Sequence, residues 1–286
     1  MSIPLRVRRP GRLLAEICAV AVAAVVAFPL YWMVLSAFKP EGEIQSTDPR
    51  PWTMTPTLEN FRRVFTLDGL GGYFLNSVIV AGVVVLVSMV LSFLAAVALT
   101  RFRFRGRTVL LVMLLIAQMV PVEALTIPLF FLMRQVGTVA PAFGLNHLGS
   151  LVLVHLAFSL PLAIWMLRGF VAGVPVELEE AATLDGAGRA RFVWQVLFPL
   201  VAPGLVAASV LSFIHAWNDF LFAKTFIISA TENQTLPVAI LVFFTPEGND
   251  WGAIMAGSTL MTIPVLVFFV IVQRRLVSGL AGAVKG

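Results

Sequence analysis

Six apolar stretches, each about 20 residues or longer, decide what this 286-residue chain can fold into. They run near residues 13–38, 73–99, 108–132, 149–167, 203–226 and 251–272. A helix needs about 20 apolar residues to cross the hydrocarbon of a bilayer. Only helices and closed barrels satisfy their backbone polar groups there. Barrel strands would alternate apolar and polar over about ten residues, and these stretches do not. The expected fold is an all-α integral membrane protein with six transmembrane helices. Composition agrees: 12% of residues are charged, against roughly a quarter in a soluble domain.

The net charge of +5 raises nucleic acid as a partner, but the placement of the charge argues for a membrane instead. Arg6, Arg8, Arg9 and Arg12 precede the first span; Arg101, Arg103, Arg105 and Arg107 fill the second connection; Arg274, Arg275 and Lys285 follow the last span. Basic clusters on every second connection obey the positive-inside rule and place both termini in the cytoplasm. The first long loop, 39–72, is then outside. The first apolar run is too long for a signal-peptide core and reads as a retained anchor. Cys18, the single cysteine, lies in it as a small packing residue.

No connection is long enough to hold a soluble catalytic domain. The expected organisation is a cytoplasmic N-terminus (1–12), a six-helix membrane domain (13–273) and a cytoplasmic C-terminal tail (274–286). Loop 39–72 is rich in proline, with an amphipathic helix expected at 58–65 that puts Leu58, Phe61, Val64 and Phe65 on one face. Trp52 and Tyr73 suit a membrane–water interface. Pro121, Pro128, Pro161 and Pro264 fall within spans, where a proline removes a backbone hydrogen bond and kinks or unwinds the helix. Such helices either make an irregular bundle or line a cavity that opens on alternate sides.

One connection differs from the rest. Glu180-Ala181-Ala182-Thr183-Leu184-Asp185-Gly186, followed by Pro199 after Val196-Leu197-Phe198, is short, charged and broken by glycine. Pro175 suits the first turn of a helix, and Glu177, Glu179 and Glu180 suit the positive end of its dipole. Ala181 and Ala182 allow close approach to another surface, and Asp185-Gly186 ends the helix with a residue that accepts left-handed φ. A second short helix is expected at 189–198, leading to Pro199 and the fifth span.

Glu180, Gly186 and Pro199 at this spacing, between the fourth and fifth of six spans, resemble the signature loop of permease subunits in binding-protein-dependent carbohydrate ABC importers, and in particular the smaller of the two maltose-type permeases. Leu58-Glu59-Asn60-Phe61, Asn76-Ser77, Trp217-Asn218-Asp219-Phe220 and the ending 277–286 are similar to further patterns of that family. The resemblance implies a type I ABC importer permease fold, with a cytoplasmic coupling helix in loop 174–199. Glu180, Ala181, Ala182, Asp185, Gly186 and Pro199 would couple to the ATPases, and Gly279, Leu280, Lys285 and Gly286 would form a tail reaching toward them. The implied partners are a second permease subunit, two ATPase subunits, an extracytoplasmic solute-binding protein, membrane lipid and a sugar, in a bacterial or archaeal inner membrane. Polyols and glycerol phosphates are the alternative cargo, and an ion-coupled secondary carrier the alternative machine.

The chain itself lacks a phosphate-binding loop: Lys39, Lys224 and Lys285 do not follow glycine as Gly-x-x-x-x-Gly-Lys-Ser/Thr requires. No cofactor is expected in it, Mg-ATP being bound by the partner ATPases. His147, His155 and His215 do not form the His-Glu-x-x-His zinc motif, so neither catalysis nor a metal is expected. Polar groups at membrane depth are site candidates. Gln118 and Glu123 flank Pro121, and Trp217, Asn218 and Asp219 combine an aromatic face with an amide and a carboxylate, the chemistry that holds a sugar. The same groups can instead join helices or satisfy backbone freed at kinks, the reading also given to His155 and His215.

Overall fold

The computed structural model describes residues 10–246 and 248–283, with side chains from 14 to 273. Among the described residues five continuous helices are long and apolar enough to cross a membrane: Leu14–Ala37, Leu70–Arg101, Leu148–Ala172, Arg189–Trp217 and Trp251–Gln273. A further pair, Arg107–Met119 and Glu123–Val139, is long and apolar enough only when taken together, and it is bent by 91° at its break. Pro121 sits at that break. The other prolines expected to interrupt spans do not. Pro128 falls in the first turn of the helix Thr126–Val139, where its missing N–H has no intrahelical acceptor. Pro161 and Pro264 lie inside unbroken helices.

The chain forms two compact units. One comprises Met1–Leu67 with Val242–Thr262. Its first helix, Pro10–Ala37, leads to two short helices, Glu41–Ile44 and Glu59–Phe65. The expected apolar face of the second is corrected in part: Leu58 and Phe65 are exposed, while Val64 is buried, Phe61 is half-buried against the Phe38 ring at 4.9 Å, and the fully buried Asn60 joins them. Asn60 is held because its amide donates to the Ala37 and Lys39 carbonyls at 2.9 and 2.8 Å, while its oxygen accepts from Arg63 at 2.5 Å. Arg63 also pairs with Asp250 at 2.6 Å, and Asp250 accepts from the Ala253 N–H at 2.9 Å to cap the last helix. A Cβ on Gly252 would come within 2.3 Å of the Asn60 side-chain oxygen, so the helix approaches this amide closely only because that position is glycine.

The second unit comprises Asp68–Leu241 with Ile263–Gly286. The helices Leu70–Arg101, Leu148–Ala172 and Phe198–Trp217 pack on one another. In lipid the hydrophobic effect does not drive that contact, and small residues that let backbones approach take its place. Ala81, Ser88, Ser92 and Ala96 face inward from the first of the three, Ser150 and Ala163 from the second, Gly204, Ala208 and Ser212 from the third. A Cβ on Gly204 would lie 2.5 Å from the Phe170 ring. The core around Phe93, Leu167, Leu197 and Leu205 also takes in Val174 and Phe192.

The fifth span is displaced from the expected 203–226. It begins with the short helix Arg189–Phe192, passes through a π turn at Val193–Leu197 and continues as Phe198–Trp217. Pro199 therefore does not end a separate cytoplasmic helix; it lies within one rod. Having no N–H, it leaves the Gln195 carbonyl without its usual partner, and the backbone widens just before it. The rod stops at Trp217 because Asp219 accepts from the Phe222 and Ala223 amides at 3.2 and 3.0 Å, starting a new helix, Leu221–Phe226.

The connection beyond is tied down by side-chain amides. Asn146, in the left-handed region at φ +64°, accepts from the Ile228 and Ser229 amides at 2.8 and 2.9 Å. Asn76 donates to the Glu232 and Gln234 carbonyls, and the Ser77 hydroxyl accepts from the Leu236 amide. The Asn76-Ser77 pair thus opens its span by holding another connection. A short helix Leu236–Ala239 follows, then a small hairpin pairing Phe244 with Asn249. The last helix runs without a break to Ala283.

Candidate coupling site and intramembrane cleft

Loop 174–199 is anchored in the core at both ends. Val174 is buried at its start, and Phe192 and Leu197 near its end. Between them runs a helix, Glu177–Leu184, with Glu177, Glu179 and Glu180 in its first turn, where the dipole favours negative charge. It ends as expected from Asp185-Gly186. The Gly186 amide donates to the Thr183 carbonyl at 3.0 Å and the Ala187 amide to the Ala182 carbonyl at 2.9 Å, the paired bonds of a Schellman stop. Gly186 has φ +77°, but nothing lies within 4 Å of where its Cβ would be. The glycine is required by the backbone and not by crowding.

The two alanines face different ways. Ala182 packs against the unit's own core, while Ala181 is exposed together with Glu180, Asp185 and Leu184, the last at 90% exposure. A leucine so bare, at the tip of a charged helix held at both ends, offers a partner an apolar knob. Pro199 is exposed in the first turn of Phe198–Trp217. Glu180 and Thr183 line one side of a groove whose other side carries Thr100, Arg101, Arg103 and Arg107.

Arg101 is a site residue that sequence reasoning counted only as topological charge. Its side chain is 9% exposed. The guanidinium donates to the Val174 carbonyl at 2.8 Å and the Val171 carbonyl at 3.4 Å, and its Nε lies 3.7 Å from a Glu179 carboxylate oxygen.

The expected translocation-path residues separate into three groups. Gln118 lines a small cleft of about 80 Å³ between the helices Arg107–Met119, Leu148–Ala172 and Phe198–Trp217, and it donates to the Phe158 carbonyl at 3.2 Å. Glu123 and Asn218 are exposed and do not line that cleft. Trp217 and Asp219 are packing residues: the indole is 1% exposed, stacked on Phe213 and edged by Phe74, and Asp219 caps the next helix while sitting 3.3 Å from His155 Nε2. The cleft's other polar groups are Ser159, Ser212 and His215. The Ser159 hydroxyl is buried and has no hydrogen-bond partner. These serines were missed because single hydroxyls in apolar runs are common helix-packing residues. Of the expected tail, Gly279 and Leu280 lie on the last helix with side chains outside the description, and Lys285 and Gly286 lie outside the described residues.

Residues 88–282 match the family described as binding-protein-dependent transport system inner membrane component. Among its relatives, the chain is 42% identical to the diacetylchitobiose uptake system permease protein DasC of Streptomyces coelicolor, over 96% of this chain and 98% of that one. It is 34% identical to the trehalose/maltose transport system permease protein MalG of Thermococcus litoralis, over 96% and 97%. The fold is similar to that in a crystal structure of a bacterial ABC transporter that imports the acidic polysaccharide alginate, with a TM-score of 0.74, 19% identity, and coverage of 96% of this chain and 99% of that one. The chain belongs to the family of binding-protein-dependent transport system inner membrane components. It is a transport permease subunit of the membrane, with a type I ABC importer fold, and the ion-coupled carrier falls away.

Proposed function

We propose that this chain is one half of a heterodimeric pore in an ATP-driven importer of sugars or oligosaccharides, and that the Glu177–Leu184 helix is where separate ATPase subunits push on it. The observation that carries this is the helix itself: charged, anchored in the core through Val174 and Phe192, and ending in an exposed leucine at a glycine-dependent stop. A segment held at both ends cannot move without moving the spans it joins. Both termini lie in the cytoplasm, as the basic clusters direct. ATP with its magnesium is bound and hydrolysed by the partners, since no lysine here follows a glycine.

In the mechanism, ATP binding draws the two ATPases together and carries the coupling helices with them. The spans tilt and the pore faces outward, where a solute-binding protein releases its sugar. Hydrolysis resets the pore inward. In this subunit the sugar passes Gln118, Ser159, Ser212 and His215, whose amide, hydroxyls and imidazole can exchange hydrogen bonds with its own hydroxyls. The sugar assignment is supported by the cargo named for the two relatives above.

The test is the complex of this chain with its partner subunits in proteoliposomes, given its binding protein and a panel of maltose, trehalose, diacetylchitobiose, polyols and glycerol phosphate. ATPase stimulation by one saccharide, with uptake of it, is expected. Stimulation by a polyol or glycerol phosphate alone would overturn the sugar assignment. Gly186→Arg is expected to leave an assembled complex with little uptake, and normal uptake would sink the coupling role.

A further inference from the structure

We infer that Arg101 is the positioning residue that locks the coupling helix to the membrane domain, so that motion of that helix reaches the second span directly as well as through the chain. The inference rests on the coupling role proposed above. Three parts of the molecule meet at this guanidinium. It grows from the end of Leu70–Arg101, donates to two carbonyls at the end of the fourth span, Val171 and Val174, and faces Glu179 of the coupling helix at 3.7 Å.

The chemistry explains why this position suits arginine. The Val171 carbonyl is among the last of its helix and is held within the backbone only by a long 3.3 Å bond from the Val174 amide, Val174 itself lies two residues past the helix end, and the negative end of the helix dipole attracts a cation. One terminal nitrogen of the planar guanidinium serves both carbonyls, while Nε faces the Glu179 carboxylate as an ion pair without a hydrogen bond; a lysine ammonium at the same depth is a single point on a flexible stem. With only 9% of the side chain exposed, water competes poorly for these donors. Val174 is also the core anchor from which the coupling segment departs, so the bond to its carbonyl is made at the hinge. Displacing the helix must open the Arg101–Glu179 pair and strain the bond at Val174, or else move the second span, which packs along both the fourth and fifth.

The experiment is the reconstituted complex carrying Arg101→Gln, Arg101→Lys, Glu179→Gln or Gly186→Arg, with maltose, trehalose and diacetylchitobiose as probes. The readouts are solute imported per ATP hydrolysed and amide hydrogen exchange of residues 177–187. For Arg101→Gln the expected ratio falls about three- to tenfold, with ATPase activity retained and those amides exchanging faster, the scale of losing one ordinary hydrogen bond. Arg101→Lys recovers part of the ratio, and Glu179→Gln, which keeps both carbonyl bonds, loses less. An unchanged ratio, with uptake and ATPase falling together in proportion to assembled complex, would make Arg101 merely structural and overturn the inference. Should Arg101→Gln fail to assemble, Arg101→Lys decides: unchanged exchange at 177–187 overturns the inference, and faster exchange upholds it. Uncoupling in Gly186→Arg with a normal Arg101→Gln ratio rejects the role of Arg101 alone, while normal uptake in Gly186→Arg rejects the coupling reading beneath it.

Discussion

At the level of single residues, two glycines do different work, and substitution should separate them. At Gly186 only the backbone objects, so Gly186→Ala should cost about 1 kcal/mol of local stability, seen as faster amide exchange at the helix stop with the melting temperature of the complex little changed. At Gly204 the space objects, because a methyl would meet the Phe170 ring. Gly204→Ala should lower stability by about 1–3 kcal/mol, and Phe170→Leu in the same chain should restore part of it in thermal melts. Asp219 is a third case. Its carboxylate is occupied by two amides and sits beside His155, so Asp219→Ala should reduce the yield of assembled complex, through a lost cap of about 1 kcal/mol, more than the flux per assembled complex. Residues of this kind differ in how visible they are beforehand. Gly186 was legible because a helix stop has a local signature. Arg101 was not, because its acceptors are main-chain carbonyls about 70 residues away, and a carbonyl looks the same under every side chain.

Among elements, the apolar stretches were legible because length and the absence of charge are what a bilayer demands. Their ends were less so. The fifth span begins fourteen residues earlier than hydropathy suggests, at Arg189 in place of 203, because a rod can leave the membrane and keep its hydrogen bonds through a π turn. It stops early because an aspartate two residues past Trp217 offers the backbone another partner. Likewise, only one proline of four breaks its span: Pro128 falls in a first turn where no donor is needed, and Pro161 and Pro264 lie inside helices that continue past one missing bond. The connection after the fifth span, by contrast, is tied by side-chain amides as well as apolar contacts. Asn146→Ala would strip an acceptor from the Ile228 and Ser229 amides. Their hydrogen exchange should rise about tenfold, the equivalent of a lost hydrogen bond; unchanged protection would show that the connection is held by something else.

For the molecule as a whole, sidedness is the property everything else depends on. With Cys18 replaced by serine, a cysteine at Leu184 should react with a membrane-impermeant maleimide only after cells are opened, and one at Trp52 should react in intact cells; the reverse pattern would invert the topology. The π turn at Val193–Leu197 adds a constraint on phase. It holds one residue more than an α-helical path of the same rise. Each α-helical residue turns the chain by about 100°, so the surplus residue sets the rotational offset between what lies before it and the rod after it. With the surplus in place, Phe192 on one side and Leu197 and Val201 on the other reach the same core. Deleting Val193 would splice the two into a uniform helix and swing Phe192 about a quarter turn out of register, so the Arg189–Phe192 segment and the rod after it behave like gears whose timing is fixed by a single tooth.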